Sequence, residues 1–424
     1  NYWDGIEALY GHYEGTTYLR FRDGDDPSSM DIRVSPEGAG FTLDGRSFIV
    51  VSGFHIRGCQ VGVSLDGAGT DHNIVENNHM QNGQARVMIG DGAAHNHVRN
   101  NRMEMGRLSD YAPGAWANGT EYVHGIREHI YNVYKHEVGR STWSPDDDRG
   151  VDMIGAGEAN EVYGNDIFDS LGGILLTNVS DARVYGNEVH AMSSGCLLVA
   201  EGVRNGMIHD NLVYDCSMNV RFHELNSEIP REVYMFRNRF YQPGSVGGHT
   251  YWHWATESAT PAYFPEIYIY HNSYAGGSAV FSFSSWAPDN GGVPSAWFLN
   301  NVLSGSWPWS YASNVGLFDY NWVGGNVPEP DEWYGANNIT ADGEAMWDPA
   351  SLPDFLLPGG SPARESGIDL SHPFTIDGVT YDPLPGMEPG YFSHAAPDRG
   401  AVQHDLPDEE QLEETTEPVD EGET

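Results

Sequence analysis

Eight segments of one form recur along the chain: IVENNHM (74–80), HVRNNRM (97–103), EVYGNDI (161–167), RVYGNEV (183–189), MIHDNLV (207–213), YMFRNRF (234–240), YIYHNSY (268–274) and WFLNNVL (297–303). Their shared asparagines are Asn78, Asn101, Asn165, Asn187, Asn211, Asn238, Asn272 and Asn301, at intervals of 23, 64, 22, 24, 27, 34 and 29 residues. A weaker copy, IYNVYKHEVG, puts Asn132 in register and divides the 64-residue interval into 31 and 33. Upstream, VVSGFHIRG puts Phe54 at the same position, 24 residues before Asn78. A fixed period of this size is the mark of a solenoid.

An apolar residue stands three before each asparagine (Val75, Val98, Val162, Val184, Ile208, Met235, Ile269, Phe298) and another two after it (Met80, Met103, Ile167, Val189, Val213, Phe240, Tyr274, Leu303). In one straight strand, residues five apart face opposite sides. Both being apolar therefore predicts a corner at the asparagine, with a short strand on either side turning its side chain inward. Asparagine is expected there because it tolerates the left-handed backbone region, and stacked amides can hydrogen-bond coil to coil. Helical repeats would carry apolar residues at i, i+3, i+4 and i+7 over longer stretches, and these segments do not. An up-and-down antiparallel barrel gives no reason for the asparagine register. A third apolar strand follows each corner, in ARVMIGDG (85–92), GVDMIGAG (150–157), GGILLTN (172–178), GCLLVAEG (195–202) and MNVRFHEL (218–225).

Three short strands per coil predict an all-β fold, a single-stranded right-handed parallel β-helix with an asparagine ladder at one corner. Over about residues 30–304 the sequence resembles the pectate-lyase-like superfamily, which includes many bacterial secreted β-helix proteins. SPARESG (361–367) and DRGAVQ (398–403) resemble the closing segment of such proteins. The pattern divides the chain into an N-terminal cap with first coils (1–40), β-helix repeats (41–304), an irregular C-terminal cap with last coils (305–404) and an acidic tail (405–424). The tail has no aromatic residue and no base, the composition of a disordered linker. The superfamily carries lyases, hydrolases, isomerases and adhesins, so the fold alone does not choose a reaction.

The formal charge is −40, with 61 acids against 21 bases, and the single lysine is Lys135. Polyphosphate recognition needs concentrated cations, so nucleic-acid binding is excluded. The acids imply a solvating surface, or carboxylates that bind calcium as a cofactor. No run of 18 apolar residues occurs, so no membrane-spanning helix is expected. The chain begins at Asn1 with no charged-then-apolar leader, as a secreted protein with its signal removed or a piece of a longer chain would. A secreted or cell-surface monomer is the expectation. Cys59, Cys196 and Cys216 form no CxxC pair and read as buried thiols.

Regular coils need about 22 to 24 residues, so longer ones mark loops inserted in the solenoid wall, where sites are usually built. Long loops are expected within 106–149 and 242–265, which hold Trp116, Trp143, Trp252 and Trp254. Aromatic faces stack on sugar rings. Eight of the 21 bases fall within residues 86–149, including Arg86, Arg127, Lys135 and Arg149. They could neutralise an anionic polysaccharide or pair with neighbouring acids. Alternation in the third strand turns Val87, Val151 and Val220 inward and predicts an outward row of Arg86, Asp152, Arg221 and His223. Glu201 lies near its end and His253 on the next coil.

Two reactions fit such a row. A lyase needs a base beside a cation, for which Arg221, His223 and Lys135 are candidates. A glycoside hydrolase needs two carboxylates, for which Asp152, Asp148 and Glu201 are candidates. Arg86, Arg127, Arg149, Trp143, Trp252 and His253 are the candidate substrate-binding residues. DDDR (146–149) is similar to the paired aspartates of β-helix polygalacturonases, while that family's Gly-His-Gly and Arg-Ile-Lys motifs are absent. His249 and His253 have no third close ligand and no HExxH motif around them, so they do not read as a metal site. The competing class is a non-catalytic adhesion protein whose charged row is only a solvated face.

Overall fold

A computed structural model describes residues 8–13, 16–21, 38–57, 59–81, 85–104, 149–170, 172–200, 202–223, 232–241, 252–255, 266–275, 282–283, 296–304, 315–324, 334–341 and 354–403. From Ala39 to Ala341 these residues form a parallel solenoid with three walls. The first wall contains Val61–Leu65, Ala85–Gly90, Arg149–Ile154 and Gly172–Thr177, each paired in parallel with its neighbour one coil away. The second is a ten-stranded sheet running from Val50–Ser52 to Val315–Asp319. The third begins with His55–Arg57, His79–Gln81, Arg102–Glu104 and Asp166–Phe168. Two 12-residue strands, Glu188–Val199 and Leu212–His223, run from the third wall into the first.

The inward side chains are those the repeat predicts. Val75, Val98, Val162, Val184, Ile208, Met235, Ile269 and Phe298 are buried on the second wall. Their partners Met80, Met103, Ile167, Val189, Val213, Phe240, Tyr274 and Leu303 are buried on the third. With the interior strands of each wall paired to the coils on both sides, apolar burial is the main driving force left for the stack to supply.

The asparagine corner holds the second and third walls together. Each ladder asparagine donates from Nδ2 to Oδ1 of the next, for example Asn165 to Asn187 at 2.9 Å and Asn187 to Asn211 at 3.0 Å. Its backbone N–H donates to the same oxygen. The ladder runs beyond Asn301 to Asn321 and Asn338. Asn321 obeys the motif, with Phe318 before and Val323 after it, but its interval of 20 residues is shorter than those used to define the repeat. A second ladder, Asn73–Asn96–Asn160, lines the corner between first and second walls. Its members stand five residues before Asn78, Asn101 and Asn165, an offset readable in DHN, AHN and EAN.

Three expectations are corrected. Asn101 bonds directly to Asn165, and His97–Arg99 pairs with Glu161–Tyr163. No coil can lie between them, so Asn132 is not a rung and the 64-residue interval is one coil with an insertion of residues 105–148. The left-handed residue is also not the ladder asparagine but the one before it: Asn77, Asn100, Gly164, Gly186, Asp210, Arg237, His271, Asn300 and Tyr320 all have φ between 50° and 63°. The ladder asparagine is there for its amide. Finally, Cys196 and Cys216 are joined in a disulfide rather than standing as thiols, because Cys216 returns one coil later with its Cα 6.0 Å from that of Cys196.

Ala8–Tyr13 and Thr16–Phe21 pair in an antiparallel sheet. At the other end, residues 354–403 lie along the side of the solenoid. Leu370, Phe374, Ile376, Leu384 and Met387 pack on the outer rings of Tyr234, Phe236, Tyr268 and Tyr270. DRGAVQ has a structural role: Arg399 donates to the Asn321 carbonyl at 2.8 Å, and the Gly400 N–H to the Asn300 carbonyl at 2.7 Å.

His271 fastens the same segment, meeting Tyr391 Oη at 3.1 Å and Asn300 Nδ2 at 3.0 Å. Burial, reinforced by Arg237, pushes its imidazole down to about 3, against contacts to the backbone of Gly400 and Asp398 and the charge of Asp369. The unfolded chain therefore takes up a proton between pH 6.5 and 3 that the folded chain refuses, and stability falls as pH drops through that window. His271 should contribute about 2–3 kcal/mol of loss between pH 7 and pH 4.5. In His271→Asn, denaturant titrations at the two pH values should differ by that much less; an unchanged difference would refute the assignment.

Candidate functional site

The three corners are unequal. Second-wall and third-wall strands are joined through the tight asparagine corner, as from Glu76 to His79. Five long connections border the first wall. Residues 105–148 join Glu104 to Arg149, and 242–251 join Tyr241 to Trp252. On the opposite edge, 224–231 join His223 to Glu232, 256–265 join Ala255 to Glu266, and 284–295 join Phe283 to Ala296. Much of the excess length expected from the intervals is thus gathered around one face.

Backbone register orders the predicted residues on that face. Asp152 pairs with Met88 and Leu175, and the row continues through Leu198, Arg221, His253 and Ser282. His223 lies in the row with Ala255. Of Arg221, His223, Trp252 and His253 only the backbone is described. Asp148, Glu201, Lys135, Arg127, Trp116 and Trp143 lie outside the described residues, as do His249 and the acidic tail. At about 4.8 Å per strand, Asp152 and Arg221 are roughly 14 Å apart, whereas Arg221 and His253 are one step apart. Register thus sets Arg221 beside His253 and three strands from Asp152.

Asp152 is buried, and its carboxylate accepts from Arg149 Nη1 at 3.2 Å. Leu175, Leu198 and Ala200 form a buried apolar cluster further along the same wall. The other described bases of this region also meet acids: Arg99 contacts Glu76 at 2.7 Å, and Arg102 lies 3.9 Å from both Glu104 and Asp166. Arg86, expected outward, is fully buried, with guanidinium bonds to the backbone carbonyls of Glu104 and Arg149. Its neighbours in register are Gly62 and Gly150, where a Cβ would run into Met80 and Ile167 of the interior. Strict alternation fails at this position because the chain is turning a corner.

Sequence reasoning missed a polar network on the third wall, beside the same corner. Phe168, His190, Tyr214 and Tyr241 stack coil upon coil with centroids 5.2, 4.6 and 4.8 Å apart. A carboxylate from the preceding coil steadies two of them: Asp166 lies 3.3 Å from His190 Nε2, and Tyr214 Oη donates to Glu188 at 2.7 Å. Burial and then the Glu188 contact raise the Tyr214 phenol, keeping it protonated. Burial also raises the Asp215 carboxyl, opposed by His190. These residues stand one, three and four positions after ladder asparagines, an offset visible in the sequence once the ladder is aligned. The rings face one another and turn their edges to solvent, so the stack is no flat platform for a sugar. Among the described residues no group of three His, Cys, Asp or Glu side chains is arranged to hold a metal, and no helix is long and apolar enough to cross a membrane.

Three parallel walls, coil-to-coil pairing and an internal ladder define a parallel β-helix. The family model for the right-handed β-helix region matches residues 39–259, and the chain belongs to that family. No curated protein matches the sequence. Among solved structures, the chain is similar to the complex of XylC with xylose, at 13% identity and a TM-score of 0.33. That match covers 77% of this chain and 48% of the other, so the chain spans about half the length of that relative.

Proposed function

We propose that the protein is an extracellular enzyme that cleaves a polysaccharide along the outer face of the first wall. The carrying observation is the placing of five long connections, the 44 residues 105–148 among them, on the two edges of that wall. Within it, Arg221 and His253 occupy the same register on adjacent strands. A base beside a cation is what β-elimination of a uronate requires, the cation neutralising the carboxylate while the base removes the neighbouring proton. The Cys196–Cys216 disulfide supports an oxidising, extracellular setting.

A hydrolase is the second reading, and one observation favours it. Asp169 and Asp215 occupy the same left-handed corner position two coils apart, with φ of 54° and 53°. Their backbones are therefore roughly 10 Å apart, near the carboxylate separation of inverting glycosidases. Asp215, with its raised carboxyl, would be the acid.

The test is a panel of uronates, sulfated galactans and neutral glucans, followed both by absorbance of unsaturated products and by reducing ends. Unsaturated products should appear, and Arg221→Ala and His253→Ala should each reduce turnover by about 10²-fold or more. Reducing ends without unsaturation, lost in Asp215→Asn, would move the chemistry to the aspartates. A panel without turnover would leave a binding or adhesion protein, in keeping with the internal pairing of Arg99, Arg102 and Arg149.

A further inference from the structure

Arg86 breaks a row of glycines. In register along the first-wall corner stand Gly40, Gly62, Arg86, Gly150 and Gly173. A Cβ at Gly40, Gly62, Gly150 or Gly173 would come within 2.9 Å of Ile56, Gly62, Arg86, Ile167, Val189 or Cys196 atoms, so the row has little space for side chains. One full arginine is nevertheless accommodated there, with no exposed surface. Burying a guanidinium is costly unless its donors are satisfied, and two of its donors meet backbone carbonyls at one junction. Nε reaches the Glu104 carbonyl at 3.3 Å and Nη1 the Arg149 carbonyl at 3.0 Å.

Glu104 and Arg149 are the residues immediately before and after the inserted segment 105–148. In the coils on either side, three residues separate the same two strands: Gln81 from Ala85, and Phe168 from Gly172. Here 44 residues intervene, and the short chain path that fixes the strand ends elsewhere is missing. We propose that Arg86 is a positioning residue that replaces this path, a buried two-pronged staple that fixes the ends of the Arg102–Glu104 and Arg149–Ile154 strands relative to each other. Two consequences follow for the side chains at the junction. Glu104 is held where it accepts from His79 Nε2 at 2.7 Å and from Gln81. Arg149 is held where it meets Asp152 on the first wall. The staple thereby couples the interior to the wall, and its effect on catalysis, though not its existence, rests on the function proposed above.

The experiment is hydrogen exchange on the full chain carrying Arg86→Met, which keeps the buried volume and removes every donor, and Arg86→Lys, which keeps one cationic donor. In Arg86→Met the amides of Arg102–Glu104 and Arg149–Asp152 should exchange at least tenfold faster, while those of Arg183–Tyr185 and Gly206–His209 keep their rates. Arg86→Lys should recover part of that protection. If the wall is the active site, KM for the polysaccharide should rise in Arg86→Met more than kcat falls. Uniform acceleration through all coils would show Arg86 to be ordinary core, and unchanged exchange at both strand ends would show that it holds nothing; either result overturns the staple. Localised acceleration with unaltered KM would keep the staple and count against the first wall as the site.

Discussion

Replacing residues 105–148 by a three-residue linker should yield a chain that folds, melts cooperatively and has lost most of its activity on polysaccharide. The described coils on either side of the segment pair with each other directly. His97–Arg99 pairs with Glu161–Tyr163, Arg102–Glu104 with Asp166–Phe168, and Arg149–Ile154 with both Ala85–Gly90 and Gly172–Thr177. Both asparagine ladders cross the same junction, through Asn101–Asn165 and Asn96–Asn160. Three residues suffice in the coils above and below, and closing a loop of three instead of 44 lowers the entropy cost of folding. The melting temperature should therefore change by no more than a few degrees, or rise. Turnover should fall by about 10²-fold or more if the segment orients substrate on the first wall. Circular dichroism, thermal scans and the polysaccharide assay check the three parts separately. An unfolded chain would mean that residues 105–148 carry fold after all; full activity would remove the site from that edge of the wall.

The excision separates what the sequence displayed from what it concealed. The inward positions were legible because burial in a solenoid is strictly local: Val162 and Ile167 face the interior for the same reason as Val184 and Val189 one coil later. The ladder was legible because each rung repeats one amide. The same repetition misled at Asn132, where local likeness to the motif stood in for a rung. Only pairing across 64 residues, Asn101 with Asn165, decides that question, and no local window contains both. Arg86 was misplaced for a related reason. Alternation holds within a strand but not at a corner, and that corner shows itself through Gly62, Gly150 and Gly173 on other coils. The His190 and Tyr214 network was hidden differently. Its partners, Asp166 and Glu188, lie 24 and 26 residues away, and their common offset shows only when neighbouring coils are aligned on the ladder.

Asn187→Ala should be among the most damaging substitutions that leave the hydrophobic interior untouched. Asn187 is buried in mid-ladder. Its Oδ1 accepts from the backbone N–H and Nδ2 of Asn165, and its Nδ2 donates to the carbonyls of Val162 and Tyr185 and to Asn211 Oδ1. Alanine removes all five contacts and offers no route for water to replace them inside a stacked corner. A buried donor or acceptor left alone costs about 1–3 kcal/mol, and the Asn165 N–H and Val162 carbonyl lose their side-chain partner together. A loss of about 3–5 kcal/mol is expected, well above the average point substitution. The control is Asn205, an exposed residue with φ of 50° whose amide donates to Asp181 at the surface, where water can replace it; Asn205→Gly should change stability by a few tenths of a kcal/mol. The same residue type should thus matter greatly where its amide is buried and little where it lies in water. Denaturant midpoints measure both. Equal midpoints for the two variants would mean that the ladder is ornamental to stability and that apolar packing alone holds the coils in register.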